Sequence, residues 1–173
     1  MIINYIEKIT WDILRKLNIK SAKDIVINEI VTCLGVNLAE IDMDDEISGF
    51  FVIKDGVPVI RVNNKQHPAR RNFTIAHELG HFVLHKDSIM FVDKEVMLLR
   101  DNVSKTGEKL KEREANAFAA SLLMPQIFLE TEIEKLVSDP RHTPVKYLAD
   151  IFKVSELAMS IRLTNLDYNI GYF

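Results

Sequence analysis

The chain has 173 residues, is 47% hydrophobic, carries a formal net charge of −3 and contains one cysteine. That length and apolar content suffice for a real core, so residues 1–173 are expected to form one domain. Slight acidity argues against non-specific nucleic-acid binding, which draws on clustered Lys and Arg; the lone cysteine excludes an internal disulfide framework and suits a reducing cytoplasm. No basic leader precedes a long apolar run and no stretch approaches about 18 uncharged apolar residues, so neither an export signal nor a membrane span is expected.

Residues 1–34 read as N-terminal helices. Ile2, Ile3, Ile6, Ile9, Ile13, Leu14 and Leu17 recur at helical spacing, which gives an amphipathic first helix. A second is expected from about Ala22 to Leu34, closed by Gly35. Cys33, at its apolar end, reads as a buried small hydrophobe. Over 36–63 a small three-stranded sheet is expected. Val36 to Ile41 forms one strand, and two β-branched runs around Phe51 and Val59 flank Asp55-Gly56, a strong hairpin signal. Pro58 confines its strand to an edge or a bulge. An edge beside the helix that follows offers an extended peptide a place to add as a strand.

His77-Glu78-Leu79-Gly80-His81 falls within a helix expected over 68–86. Residues i and i+4 share a helix face, roughly 6 Å apart at Cβ, so both imidazoles converge on one metal while Glu78, about 100° round, meets a water rather than the metal. The surrounding FTIAHELGHFVL is apolar on every face, which marks a buried helix. Leaving imidazoles and a carboxylate unpaired there costs about 1 to 3 kcal/mol for each group, and a metal removes that cost. The plainer alternative is two core histidines satisfied by backbone carbonyls.

A catalytic zinc usually takes three protein ligands, and four residues compete for the third place. Asp87 stands ten residues after His77, but Leu84 occupies the bend where glycine is needed. His85 lies about 12 Å along the helix axis from His77, a position that suits a supporting or core role. Cys33 lacks the Gly-rich and Gln-bearing motifs that accompany an upstream cysteine ligand. Glu114 is the strongest, because it sits in an alanine-rich helix over 108–124, stopped by Pro125, whose small residues permit close approach to the HELGH helix. Glu112 is about 200° from Glu114 on that helix, so only one of the two faces the metal.

Residues 87 to 107 mix charges with Met90, Phe91, Val96, Met97, Leu98 and Leu99, a length that implies local structure or a flap. A helix pair over 143–166 follows, with Pro144 at a first helical position and Ser155 as a cap. Its second helix brings Arg162 as its only basic residue, poor equipment for DNA contacts, so packing or partner docking is expected.

HELGHFVLH and EREANAFAASLLMP, with ARRNFTIA before them and VSELAMSIRL after, resemble the ImmA/IrrE family of bacterial zinc peptidases from about residue 22 to 166. Taken together the expected elements make an α+β fold, mainly helical, with the small sheet next to the HExxH helix and the helix pair at the C-terminal end. The family resemblance adds site and substrate. It implies one Zn²⁺ per chain on His77, His81 and Glu114, with Glu78 as catalytic base. It also implies a substrate class: helix-turn-helix transcriptional repressors encoded nearby, in mobile elements, prophages, toxin-antitoxin pairs or stress responses. Residues 87 to 107 have no counterpart in that pattern, and Ser121 stands where many relatives carry an acidic residue.

Water-mediated peptide hydrolysis is therefore the expected chemistry. His67, His85, His142 and Tyr147 are candidates for a transition-state donor, and Asn116 is a candidate partner for a ligand imidazole. The alternatives are a regulator that binds such a repressor without cutting it, and a metal hydrolase acting on a nonpeptide amide. Mn²⁺ or Fe²⁺ are the competing metals.

Overall fold

The computed structural model describes residues 2–85, 105–137 and 144–168. Asp87, His142 and nearly all of 87–107 lie outside the described residues. Helix α1 (Ile2–Lys16) buries Ile6 and Leu14 on the stripe expected from its periodicity. The second helix is shorter than expected: a single 3-10 turn (Ala22–Asp24) is followed by a break, and α2 covers only Ile27–Cys33. Ile25 and Val26 cause the break. Both are β-branched and extended, with ψ of 101° and 100°, while Ser21 and Asp24 bond to each other at 2.9 Å. Helix α2 turns Ile27, Ile30 and Val31 inward, which leaves Cys33, about 200° beyond Val31, exposed rather than buried. Gly35 ends it at φ 76°.

The sheet contains β1 (Asn37–Ile41), β2 (Gly49–Lys54) and β3 (Val57–Asn63) in the order β1-β3-β2. Strand β1 runs parallel to β3 and β2 antiparallel to it. Asp55 and Gly56 both take positive φ, 51° and 76°, the two-residue turn whose twist matches the flanking strands. The strand carrying Pro58 is central rather than an edge. Pairing of β1 begins only at Asn37↔Val59, so Pro58 precedes that ladder and its missing N–H interrupts nothing there. The edges are β1 and β2.

Helix α3 (Pro68–Leu84) starts with Pro68 in its first turn and His67 as its cap, the His67 Nδ1 accepting from the Ala69 N–H at 3.2 Å. It packs on β2, β3 and α4 (Lys105–Leu123). Helix α5 (Gln126–Val137) follows directly on Pro125, which the sequence marks only as a stop. The proline also opens this helix, its carbonyl accepting from Phe128 and Leu129 at 3.1 and 3.0 Å. Helices α6 (Pro144–Phe152) and α7 (Glu156–Asn165) complete the chain, α7 capped by Ser155 Oγ on the Ala158 N–H.

Seven α-helices among the described residues and a small mixed sheet make the fold α+β. Its core joins Ile60 and Val62 of β3, Ile75 and Leu79 of α3, and Phe118 and Leu122 of α4 to Leu148 and Met159 of the last helices. Two polar contacts fasten α1 to this body. Thr10 Oγ1 meets Ser121 Oγ at 2.5 Å, both nearly inaccessible. Arg162 makes a two-pronged pair with Glu7 (2.6 and 3.0 Å) and donates to the Met124 carbonyl. The one basic residue of α7 is therefore committed inside the protein. No helix among the described residues is long and apolar enough to cross a membrane.

Candidate metal centre

Helices α3 and α4 touch where α3 carries Gly80. A Cβ there would come within 3.1 Å of Ala115 Cα and 3.2 Å of Phe118 Cβ. This close approach, made by small residues on both helices, brings the polar side chains of one helix onto those of the other. His77 Nε2 and His81 Nε2 lie 3.1 Å apart. Glu112, on α4, places its carboxylate 3.4 Å from the first and 3.3 Å from the second. Among the described residues these three form a group able to hold a metal ion.

The carboxylate beside both imidazoles is thus Glu112, where the sequence favoured Glu114. Glu114 points about 200° away and lies on His85, Oε2 to Nε2 at 2.9 Å. One signal for Glu112 was present in the sequence. Asn116, four residues on and therefore on the same face of α4, sets its Oδ1 3.0 Å from His77 Nδ1. His85, the residue after α3, sets its Nδ1 3.3 Å from His81 Nδ1. The other candidates stand elsewhere: His67 caps α3, Tyr147 lies on α6 close enough to Lys135 of α5 to influence it, and Cys33 is at the exposed end of α2.

Two observations bear on whether this group suits a metal. Ligands about 2.0–2.2 Å from a tetrahedral ion sit about 3.3–3.6 Å from one another, close to the 3.1, 3.4 and 3.3 Å separations found. Protonation points the same way. An amide oxygen only accepts, so His77 carries its proton on Nδ1 toward Asn116 and turns a lone pair inward at Nε2. The His81 ring, mostly buried, is held neutral with its pKa pushed down to about 3, first by burial, then by the His77 and His85 rings, which compete with it for a proton, and by the Lys111 charge. The His77 lone pair and the Glu112 carboxylate face each other beside a neutral His81 ring, an arrangement that a divalent cation between them would satisfy. The residues fit such an ion.

Glu78, next to His77 in sequence, points a different way and is 9% exposed. Burial chiefly, and then the negative charge of Glu112, raise its pKa to about 7; the Phe51 backbone N–H works against that shift. Strand β2 therefore runs beside this carboxylate. Glu112 has a 57% exposed side chain, which leaves one side of the group open to solvent.

A family profile of the IrrE N-terminal-like domain, a peptidase family, matches residues 31–164. The chain belongs to this family. The IrrE-like chain is 30% identical over 98 residues to "Uncharacterized immunity region protein 2" of Bacillus phage phi105, covering 56% of this chain and 57% of that protein. It is 32% identical over 105 residues to "Radiation response metalloprotease IrrE" of Deinococcus radiodurans, covering 61% of this chain and 29% of that one. Among solved structures it is similar to a "Mycobacterium tuberculosis transcriptional regulator", with a TM-score of 0.66 at 21% identity over 93% of this chain and 46% of that one, a likeness of fold. The matches span between about a third and just over half of those relatives' own lengths. The IrrE-like domain is thus metallopeptidase-like in family and carries a His-His-Glu grouping fit for a metal.

Proposed function

We propose that this IrrE-like protein is a zinc-dependent endopeptidase that cuts a helix-turn-helix transcriptional repressor at a specific site. The observation that carries the reading is the juxtaposition of an inward-facing His77-His81-Glu112 donor set with a buried carboxylate, Glu78, that belongs to the same helix but not to the set. His77, His81 and Glu112 would hold the ion, and when bound it supplies Lewis acidity, polarising a carbonyl and making water more acidic.

Glu78 does the proton work. Its carboxylate takes a proton from the attacking water and returns it to the nitrogen of the leaving amine. Desolvation makes that carboxylate a better proton acceptor than one in water, and the Phe51 N–H orients it. Because β2 is an edge of the sheet and passes Glu78, an extended substrate segment added along β2 is brought to the reacting group. The repressor as substrate is supported by the family resemblance and agrees with the immunity-region name of the phage relative.

The test is intact-mass analysis of a helix-turn-helix repressor encoded beside the gene, incubated with zinc-loaded wild type or Glu78→Gln. Fragments from wild type alone, with the variant's rate lower by at least about 10²-fold, are expected. Equal cleavage by both removes Glu78 from the mechanism, and an intact repressor bound by zinc-loaded wild type replaces cleavage with a binding role.

A further inference from the structure

We infer that Glu114 and His85 form a positioning relay that fixes the ring tautomer of His81, turning its Nε2 lone pair toward the metal centre; this rests on the metal-centre reading above. A carboxylate only accepts, so the 2.9 Å contact between Glu114 Oε2 and His85 Nε2 requires the His85 proton on Nε2. A neutral imidazole carries one N–H, which leaves His85 Nδ1 as an acceptor. His81 Nδ1, 3.3 Å away, must then donate. Its own single proton is thereby placed on Nδ1, and Nε2 is left bare beside His77 and Glu112.

The relay is shielded enough to be directional, with side-chain exposures of 9% for His81, 10% for His85 and 23% for Glu114. His77 reaches the same tautomer in one step through Asn116. The two imidazoles are thus set alike by different means, an amide on one face of α4 and a carboxylate with an intervening ring on another. Among the described residues Glu114 is the group that holds the His85 proton on Nε2. With that proton on Nδ1, His85 becomes the donor, His81 carries its proton on Nε2, and the nitrogen that faces the centre is blocked.

Ring-nitrogen NMR on the metal-free protein reads the tautomers, and chelator competition reads zinc affinity, for wild type, Glu114→Leu and His85→Phe. The second variant breaks the relay from the other end at similar ring volume, so the pair does not depend on α4 tolerating leucine. Wild type is expected to show His81 as the Nδ1–H form. Both variants are expected to mix His81 tautomers and bind zinc about 10–100-fold more weakly. Glu112→Gln is expected to lose zinc while keeping the His81 Nδ1–H signal, which separates the relay from the ligand set. Unchanged tautomer and zinc affinity in both relay variants overturn the relay with the peptidase reading intact; a fixed tautomer in a wild type that takes up no zinc overturns the metal reading instead.

Discussion

Glu112 and Glu114 are two residues apart, share a charge and differ in what they meet. Glu112 reaches the Nε2 atoms of His77 and His81, and Glu114 reaches His85. Substituting Glu112 with Gln is expected to lower zinc affinity by more than about 100-fold, beyond the about 10–100-fold typical of an outer partner, whereas Asn116→Ala is expected to fall within that outer range; isothermal titration with Zn²⁺ distinguishes them. His77, Glu78 and His81 were legible in the sequence because five consecutive residues on a helix fix their relation. The identity of the facing carboxylate was not, since the rotation of α4 about its axis depends on packing. Only the spacing of Glu112 from Asn116, joined to knowledge that Asn116 serves His77, would have set it.

Helix α3 can lie on α4 because Gly80 has no side chain where Ala115 and Phe118 press against it. Gly80→Ala improves helix propensity by about 1 kcal/mol yet forces a methyl to within 3.1 Å of backbone, for which overpacking costs about 1–3 kcal/mol. A net loss of about 1 kcal/mol is expected by urea denaturation, together with weaker zinc binding, because the two helices carry different members of the donor set. The small residues of α4 made this approach readable in advance. Helix α5 and the break before α2 were less so: Pro125 ends one helix and begins another with the same carbonyl, and extended Ile25 and Val26 override an otherwise helical stretch.

Across the whole molecule, the first and last described helices are tied together by one ion pair. Arg162, 4% exposed, holds Glu7 from α7 while donating to the Met124 carbonyl at the end of α4. Arg162→Met leaves Glu7 without its partner and is expected to cost about 3 kcal/mol, the low end for a broken buried pair because the Glu7 side chain is 22% exposed. Denaturant unfolding of the single variant and of Arg162→Met with Glu7→Leu checks this; the double variant should recover most of the loss. The α+β class and the C-terminal helix pair were legible from periodicity and caps, whereas this tie was not, because it joins residues 155 positions apart.

A crystal structure of the zinc-soaked chain with data at the zinc edge bears on the whole scheme. One anomalous peak about 2.0–2.2 Å from His77 Nε2, His81 Nε2 and a Glu112 oxygen, with Glu114 still on His85 and Glu78 unbound, is the predicted result. A peak ligated by Glu114 or Glu78, or no peak between the two imidazoles, would contradict it.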